Sequence, residues 1–278
     1  MRVILSRKGF DSSVGGHPSP VLPDGMMLSL PIPPSHDSLA YDAITSPDGR
    51  TCADVLVDLG GRDRIAGKGA HLDPDLIPES RPRRPGWRPS FGQIGAASGH
   101  LRNQGVGPGD LFLFYGWFRP TETVAGRLQF KQTSEGVHTI FGYLQVGEVI
   151  RTAEGGDVPD WLADHPHASV HRVKQSTNVI YVAAETSNWD AGTAGAGVFR
   201  FRPELVLSKP GMTRSCWALA PAVFGGVQIS YHTQAAWCDG YFKSYPRAQE
   251  YVIEEDDKVN DWARRLIGDA IAPAAVGR

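Results

Sequence analysis

Short apolar runs separated by glycine, proline and polar clusters dominate this chain, a pattern that predicts strands and loops more than amphipathic helices. Val3-Ile4-Leu5, followed by a polar turn, reads as a buried strand that delivers a loop at its end. The continuous aromatic run Asp110 to Phe118 and the similar run Val137 to Ile150 predict two strands that pair with each other. Asn178 to Ala183, Val198 to Phe201 and Val252-Ile253 add shorter ones. Helical spacing is confined to three places. Residues 51 to 59 carry Ala53, Val55, Leu56 and Leu59 behind Thr51 or Ser46 as caps. Residues 91 to 104 carry Ile94, Ala97 and Leu101 behind Ser90, with Gly105 and Gly107 as terminators. Residues 257 to 270 would bury Val259, Trp262, Leu266 and Ile267.

Between the first strand and these elements, Gly15-Gly16, Pro18, Pro20, Pro23, Gly25, Pro31, Pro33 and Pro34 exclude a helix from residues 9 to 36. Val21-Leu22 and Met26-Met27-Leu28 give that loop apolar anchors, which predicts order. The basic, proline-rich stretch at 78–89 reads as an internal connection within a single domain spanning 1–278. The expected fold is therefore α+β and mostly β. It combines a mixed or barrel-like central sheet with a long ordered N-terminal loop and a C-terminal helix.

Composition narrows the function classes. The 278 residues suffice for a core without staples, and a formal net charge of −2 supplies no global attraction for duplex DNA. Any nucleic-acid contact must be local. The three cysteines, Cys52, Cys216 and Cys238, are far apart and lack ligand spacing, so they read as buried thiols of a reducing compartment. Arg7-Lys8 interrupts the apolar start before a signal peptide can form, and no run of about 18 apolar residues follows, so a soluble cytoplasmic protein is expected. Nucleotide-binding P-loops, dinucleotide fingerprints, esterase elbows and zincin motifs are all missing from the sequence.

The segment Ser6-Arg7-Lys8-Gly9-Phe10-Asp11-Ser12-Ser13 concentrates cations, hydroxyls and turn backbone, the donors that a phosphate requires. Asp11 within it is either a salt-bridge partner or an acid, base or nucleophile held ionised by its neighbours. His71, Asp73 and Asp75 alternate along an extended stretch and can share one side, but a turn capped by the two aspartates is favoured over metal binding. His165, His167 and His171 form the densest histidine group and read as a solvated loop in preference to a metal site. No resident metal is expected, and the sequence leaves the cofactor unknown. Most of the seven tryptophans should fill the core, and Trp117, at a strand end, is the best candidate for stacking on a base.

The blocks Ser6 to Pro20 continuing to Leu30-Pro31-Ile32-Pro33, His71 to Asp75, Gly109 to Phe118, His138 with Phe141-Gly142-Tyr143, and Gln249 to Val252 resemble the nucleotide modification associated domain family, type three. The middle strands are also similar to the core of PUA and EVE domains, small β-barrels that bind RNA or modified DNA bases. The family resemblance implies association with DNA-base modification in phage or bacterial conflict systems, with partner enzymes. Two functional readings follow. In the first, a transferase or glycosidic-bond hydrolase acts on a nucleotide or DNA base. Arg7 and Lys8 hold phosphate, and Ser6, Ser12, Ser13 and Ser19 add hydrogen bonds. Asp11, His71 and Asp73 supply acid-base or nucleophilic groups, while Trp117, His138, Gln249 and Glu250 contact the substrate. In the second, the same pocket is a non-catalytic reader of a modified base or nucleotide. A purely structural subunit is the remaining alternative.

Overall fold

A computed structural model describes residues 1–34, 37–154, 157–245 and 248–271. Residues 35 and 36, the end of the long N-terminal loop, lie outside the described residues. The strands are β1 (Val3–Arg7), β2 (Ser19–Val21), β3 (Ser90–Gln93), β4 (Leu111–Val124), β5 (Arg127–Phe130) and β6 (Val137–Arg151). They continue with β7 (Val179–Ala183), β8 (Ala196–Val198), β9 (Cys216–Trp217), β10 (Trp237–Cys238), β11 (Tyr241–Lys243) and β12 (Glu250–Ile253). The helices are α1 (Cys52–Asp58), α2 (Arg62–Ile65), α3 (Gly95–Asn103), α4 (Val170–Val173), α5 (Pro221–Phe224) and α6 (Asp257–Ile271).

The main sheet runs in the order β12-β1-β4-β6-β7-β3, with β2 and β5 on the outer half of β4 and β8 on β6. The two long aromatic strands pair as their sequence predicts, Leu111 opposite Gln145 and Phe118 opposite Val137, with one irregularity after Phe114. The sheet is mixed: β1 runs parallel to β4, with Val3 beside Leu111, and antiparallel to β12. β2 also lies parallel to β4, Ser19 beside Phe118. The chain from Lys8 to Pro18 is thus an excursion between two strands that return to one neighbour. Gly9 lets the chain leave β1 with a φ of 77°, at a point where a Cβ would meet Ser29 Oγ at 2.6 Å.

The sheet curls until its ends approach, but it does not close into a barrel. Phe91 of β3 packs on Phe112 and Phe114 of β4 and on Tyr181 of β7, filling the inside of the curl. Across the gap between β3 and β12 the link is made by side chains: Gln93 Nε2 donates to Glu250 Oε1 at 2.6 Å, and Lys8 Nζ donates to the same oxygen at 2.8 Å. The Lys8 ammonium also sits 4.3 Å from the Phe91 ring centre. The C-terminal helix α6 covers the core through Val259, Ala263, Leu266 and Ile267, and Phe224 meets Trp262 edge-on. A second buried cluster forms beneath the N-terminal loop, where Phe10, Leu22, Leu28 and Leu30 meet Val55 and Leu56 of α1. Among the described residues no helix is long and apolar enough to cross a membrane.

Two element boundaries differ from the sequence expectation. Residues 90–93 form β3, paired antiparallel with β7, and the helix begins only at Gly95. Ser90 is therefore a strand residue and not a cap, because its backbone exchanges hydrogen bonds with Asp75 at 2.9 and 3.0 Å. The strand expected at Val198 to Phe201 is β8, which begins two residues earlier and ends at Val198, with an isolated bridge from Arg200 to Met26 beyond it. Thr51 caps α1 as expected, accepting from the Asp54 amide at 3.0 Å.

Candidate functional site

A cleft of about 250 Å3 opens at the end of β1, beside the gap between the sheet edges. Its walls bring together Arg7, Lys8, Gly9 and Asp11 from the N-terminal excursion, His71 and Asp73, Gly92 and Gln93 of β3, His167, Arg172 and Gln249. The two regions that the sequence singles out separately, the cationic turn and the His71 stretch, thus face one space.

Within the turn the side chains are already committed. Asp11 Oδ1 accepts from the Ser13 amide, the Ser13 hydroxyl and the Val14 amide, each at 2.7 Å. Burial raises the Asp11 carboxyl, but these bonds and nearby Arg7 outweigh it and hold the pKa low. Lys8 is taken up by Glu250, whose carboxylate is 1 % exposed. Ser6 and Ser19 are buried, and Ser19 Oγ accepts from the Leu30 amide at 3.1 Å, which ties down the loop. Ser12 and Ser13 are exposed on the turn.

The remaining predicted contacts fall in different places. Trp117 carries the Arg214 guanidinium 3.8 Å over its ring. His138 Nδ1 accepts from Trp217 Nε1 at 3.1 Å, behind Tyr115. Gln249 lines the cleft, and its carbonyl accepts from the Arg7 amide at 2.8 Å.

The opposite wall holds a compact group of imidazoles around Asp73. His165 and His167 are 5 % and 3 % exposed, so the loop expected to be solvated is buried, and only His171 is exposed. The physical reason is an anchor that the sequence does not advertise. Asn178, at the start of β7, donates to the His167 carbonyl at 2.9 Å while its Oδ1 accepts from His167 Nδ1 at 2.7 Å. Gly92 makes room for the ring, since a Cβ there would lie 2.2 Å from His167 Cγ. Asp75 points elsewhere: it forms a two-pronged pair with Arg83 at 2.6 and 2.7 Å, so it does not share a side with His71 and Asp73.

Hydrogen bonds fix which nitrogen of each ring bears the proton. His71 Nδ1 lies 2.5 Å from Asp37 Oδ2, and a carboxylate there can only accept, so Nδ1 donates. Asp37 is in turn bound by Arg172 at 2.5 Å; burial raises its carboxyl, but the His71 and Arg172 bonds prevail and lower it. His167 likewise donates through Nδ1, to Asn178. Burial drives the His167 pKa down to about 3, so at neutral pH the ring has no second proton. His165 is reversed: its Nδ1 accepts from the His167 amide at 3.2 Å, leaving the proton on Nε2, which faces Asp73 Oδ1 at 3.5 Å.

Asp73 is consequently a divided carboxylate. Oδ1 accepts from the Gly92 amide at 2.8 Å, whereas Oδ2 faces His71 Nε2 at 3.8 Å and His167 Nε2 at 3.9 Å. Burial opposes its ionisation, but the hydrogen bond from His165, with the charge the surrounding imidazoles carry when protonated, holds the pKa well below the usual carboxylate range. Nitrogen and oxygen donors arranged in this way can hold a cation or move protons at a substrate in the cleft. Asp37, Arg172 and Asn178, which orient the rings, carry no sequence pattern that marks them. Only the closeness of His165, His167 and Arg172 along the chain offered a partial sign.

No curated protein and no solved structure matches the chain. The family model described as nucleotide modification associated domain 3 matches residues 2–254, nearly the whole described chain and every wall of the cleft. The chain belongs to the nucleotide modification associated domain 3 family, and its role lies in nucleotide modification.

Proposed function

We propose that the protein is an enzyme that modifies a nucleotide or a DNA base, as a transferase or glycosidic-bond hydrolase, and that the reacting group enters the cleft. The observation that carries this reading is the meeting of the Arg7 turn with His71, Asp73 and His167 across one cavity of about 250 Å3. A space of that size takes a nucleobase with part of its sugar. Arg7 on the N-terminal turn lines the cleft and is suited to a phosphate at its mouth, while Arg172 in the same lining is paired with Asp37. The reactive end then points to the His71, Asp73 and His167 group. Asp11 serves the shape of the turn in this reading, since three donors already occupy one of its oxygens. A base inside a duplex must be flipped out to reach the cluster.

The test is mass spectrometry of nucleosides from DNA, RNA and free nucleotides incubated with the protein. The expected result is a mass change in one nucleoside that disappears with Asp73→Asn. Binding of nucleotides without any mass change, lowered by Arg7→Ala, identifies the chain as a reader and overturns the enzyme reading.

A further inference from the structure

We propose that His71, Asp73 and His167 bind one divalent first-row transition-metal ion at the floor of the cleft, through His71 Nε2, His167 Nε2 and Asp73 Oδ2. The ion's role in chemistry rests on the reading of this cleft as the substrate site, whereas its binding rests on the geometry of the three donors alone. The three donor atoms lie within 4.8 Å of one another. What distinguishes them from a chance cluster is their orientation. Both imidazoles turn Nδ1 to outward partners, Asp37 at 2.5 Å and Asn178 at 2.7 Å, and so face Nε2 to one carboxylate oxygen at 3.8 and 3.9 Å. A cation placed between them would meet both Nε2 atoms and the carboxylate charge at once. Donation of the distal imidazole proton to a carboxylate or amide is the arrangement that orients histidine ligands in metal sites.

Distances and donor types specify the ion. At bond lengths of about 2.1 Å, ligand atoms in tetrahedral or octahedral shells stand about 3.0 to 3.4 Å apart. The observed 3.8 and 3.9 Å separations require a contraction of about 0.4 to 0.9 Å on binding, within the reach of side-chain rotations. Two imidazoles with one carboxylate and no thiolate suit Zn2+, Fe2+, Mn2+ or Co2+ over soft Cu+ or the all-oxygen sites of Mg2+ and Ca2+. His165 is not a ligand, because its Nδ1 is engaged and its Nε2 proton faces Asp73 Oδ1. The remaining coordination positions face the cleft, where water or a substrate oxygen completes the shell.

Metal uptake is measured on the chelator-stripped protein without nucleotide, by calorimetry with Zn2+, Mn2+ and Co2+ and, anaerobically, Fe2+, followed by elemental analysis. One equivalent per chain is expected for at least one of these ions. His71→Ala and His167→Ala should each weaken it at least a hundredfold, and Asn178→Ala, which leaves all three ligand atoms in place, about 10–100-fold. Should a histidine variant fail to fold, the wild-type protein loaded with Cu2+ as a spin probe supplies the second readout: its paramagnetic resonance spectrum should show coupling to two imidazole nitrogens. Absence of stoichiometric uptake, uptake that survives the double His71→Ala, His167→Ala substitution, or a Cu2+ spectrum with no imidazole coupling overturns the proposal. Because nucleotide is absent, any of these outcomes leaves the proposed nucleotide chemistry to its own test.

Discussion

At the scale of single residues, the proposed function gives Asp11 the shape of the turn and Asp73 the contact with substrate. Asp11→Asn keeps an oxygen able to accept from the Ser13 and Val14 amides, so turnover is expected to change less than about threefold, in step with a small loss of stability. If turnover instead vanishes while the melting temperature holds, the reactive centre lies in the turn and not at Asp73. Gly92→Ala tests the opposite wall. Its methyl group would overlap the His167 ring, and the expected result is at least a tenfold loss of activity with a stability cost of about 1–3 kcal/mol, measured by urea unfolding. His138 offers a pH test. Burial, and then Arg214 and Arg7, lower its pKa from 6.5 to about 3 against the opposing charge of Asp11. The folded protein therefore resists a proton that the unfolded chain accepts. This contribution to stability is complete above pH 6.5 and is lost as pH falls toward 3, at about 1.4 kcal/mol per pH unit. His138→Gln should flatten the fall of unfolding free energy between pH 6 and 4, and an unchanged slope would show that other groups carry it.

Elements were more legible in the sequence than the contacts between them. Apolar continuity marked β1, β4, β6 and β7, and helical spacing with a threonine cap marked α1, because these signals are local. β3 was hidden behind helical periodicity at Ile94, Ala97 and Leu101, since four residues paired to a distant strand leave little pattern of their own. The His71 and Asp73 pair was visible through alternation, whereas His167 joined it only through Asn178 and the absence of a side chain at Gly92, both non-local. The link across the open side of the sheet was equally invisible. Lys8, Gln93 and Glu250 come from three separated strands or strand ends, and Glu250 Oε1 receives both donors. Lys8→Met leaves that carboxylate buried without its cation and should cost about 3–5 kcal/mol. The double variant Lys8→Met, Glu250→Leu should recover part of this loss, and strictly additive losses in urea unfolding would deny the coupling.

Over the whole molecule, charge sets the terms of any encounter with nucleic acid. A formal net charge of −2 supplies no global attraction for nucleic acid, and Arg172 of the cleft, like Arg83, Arg84 and Arg214 elsewhere, is committed to Asp37, Asp75, Asp164 or Trp117. Binding should therefore engage about one phosphate, giving a slope of about −1 in a plot of log affinity against log salt concentration. A slope near −6, measured by fluorescence anisotropy with duplex DNA, would reveal an extended groove-binding surface instead. The side-chain bridge across the sheet also bears on how the protein is made. Residue 8 is made before residue 250, yet β1 pairs with β12 and Lys8 pairs with Glu250. The cleft therefore reaches its working shape only when the last strand docks. A nascent chain carries the histidines of the cluster before β12 is there to complete the site, with Gln249 in the cleft wall and Glu250 against Lys8.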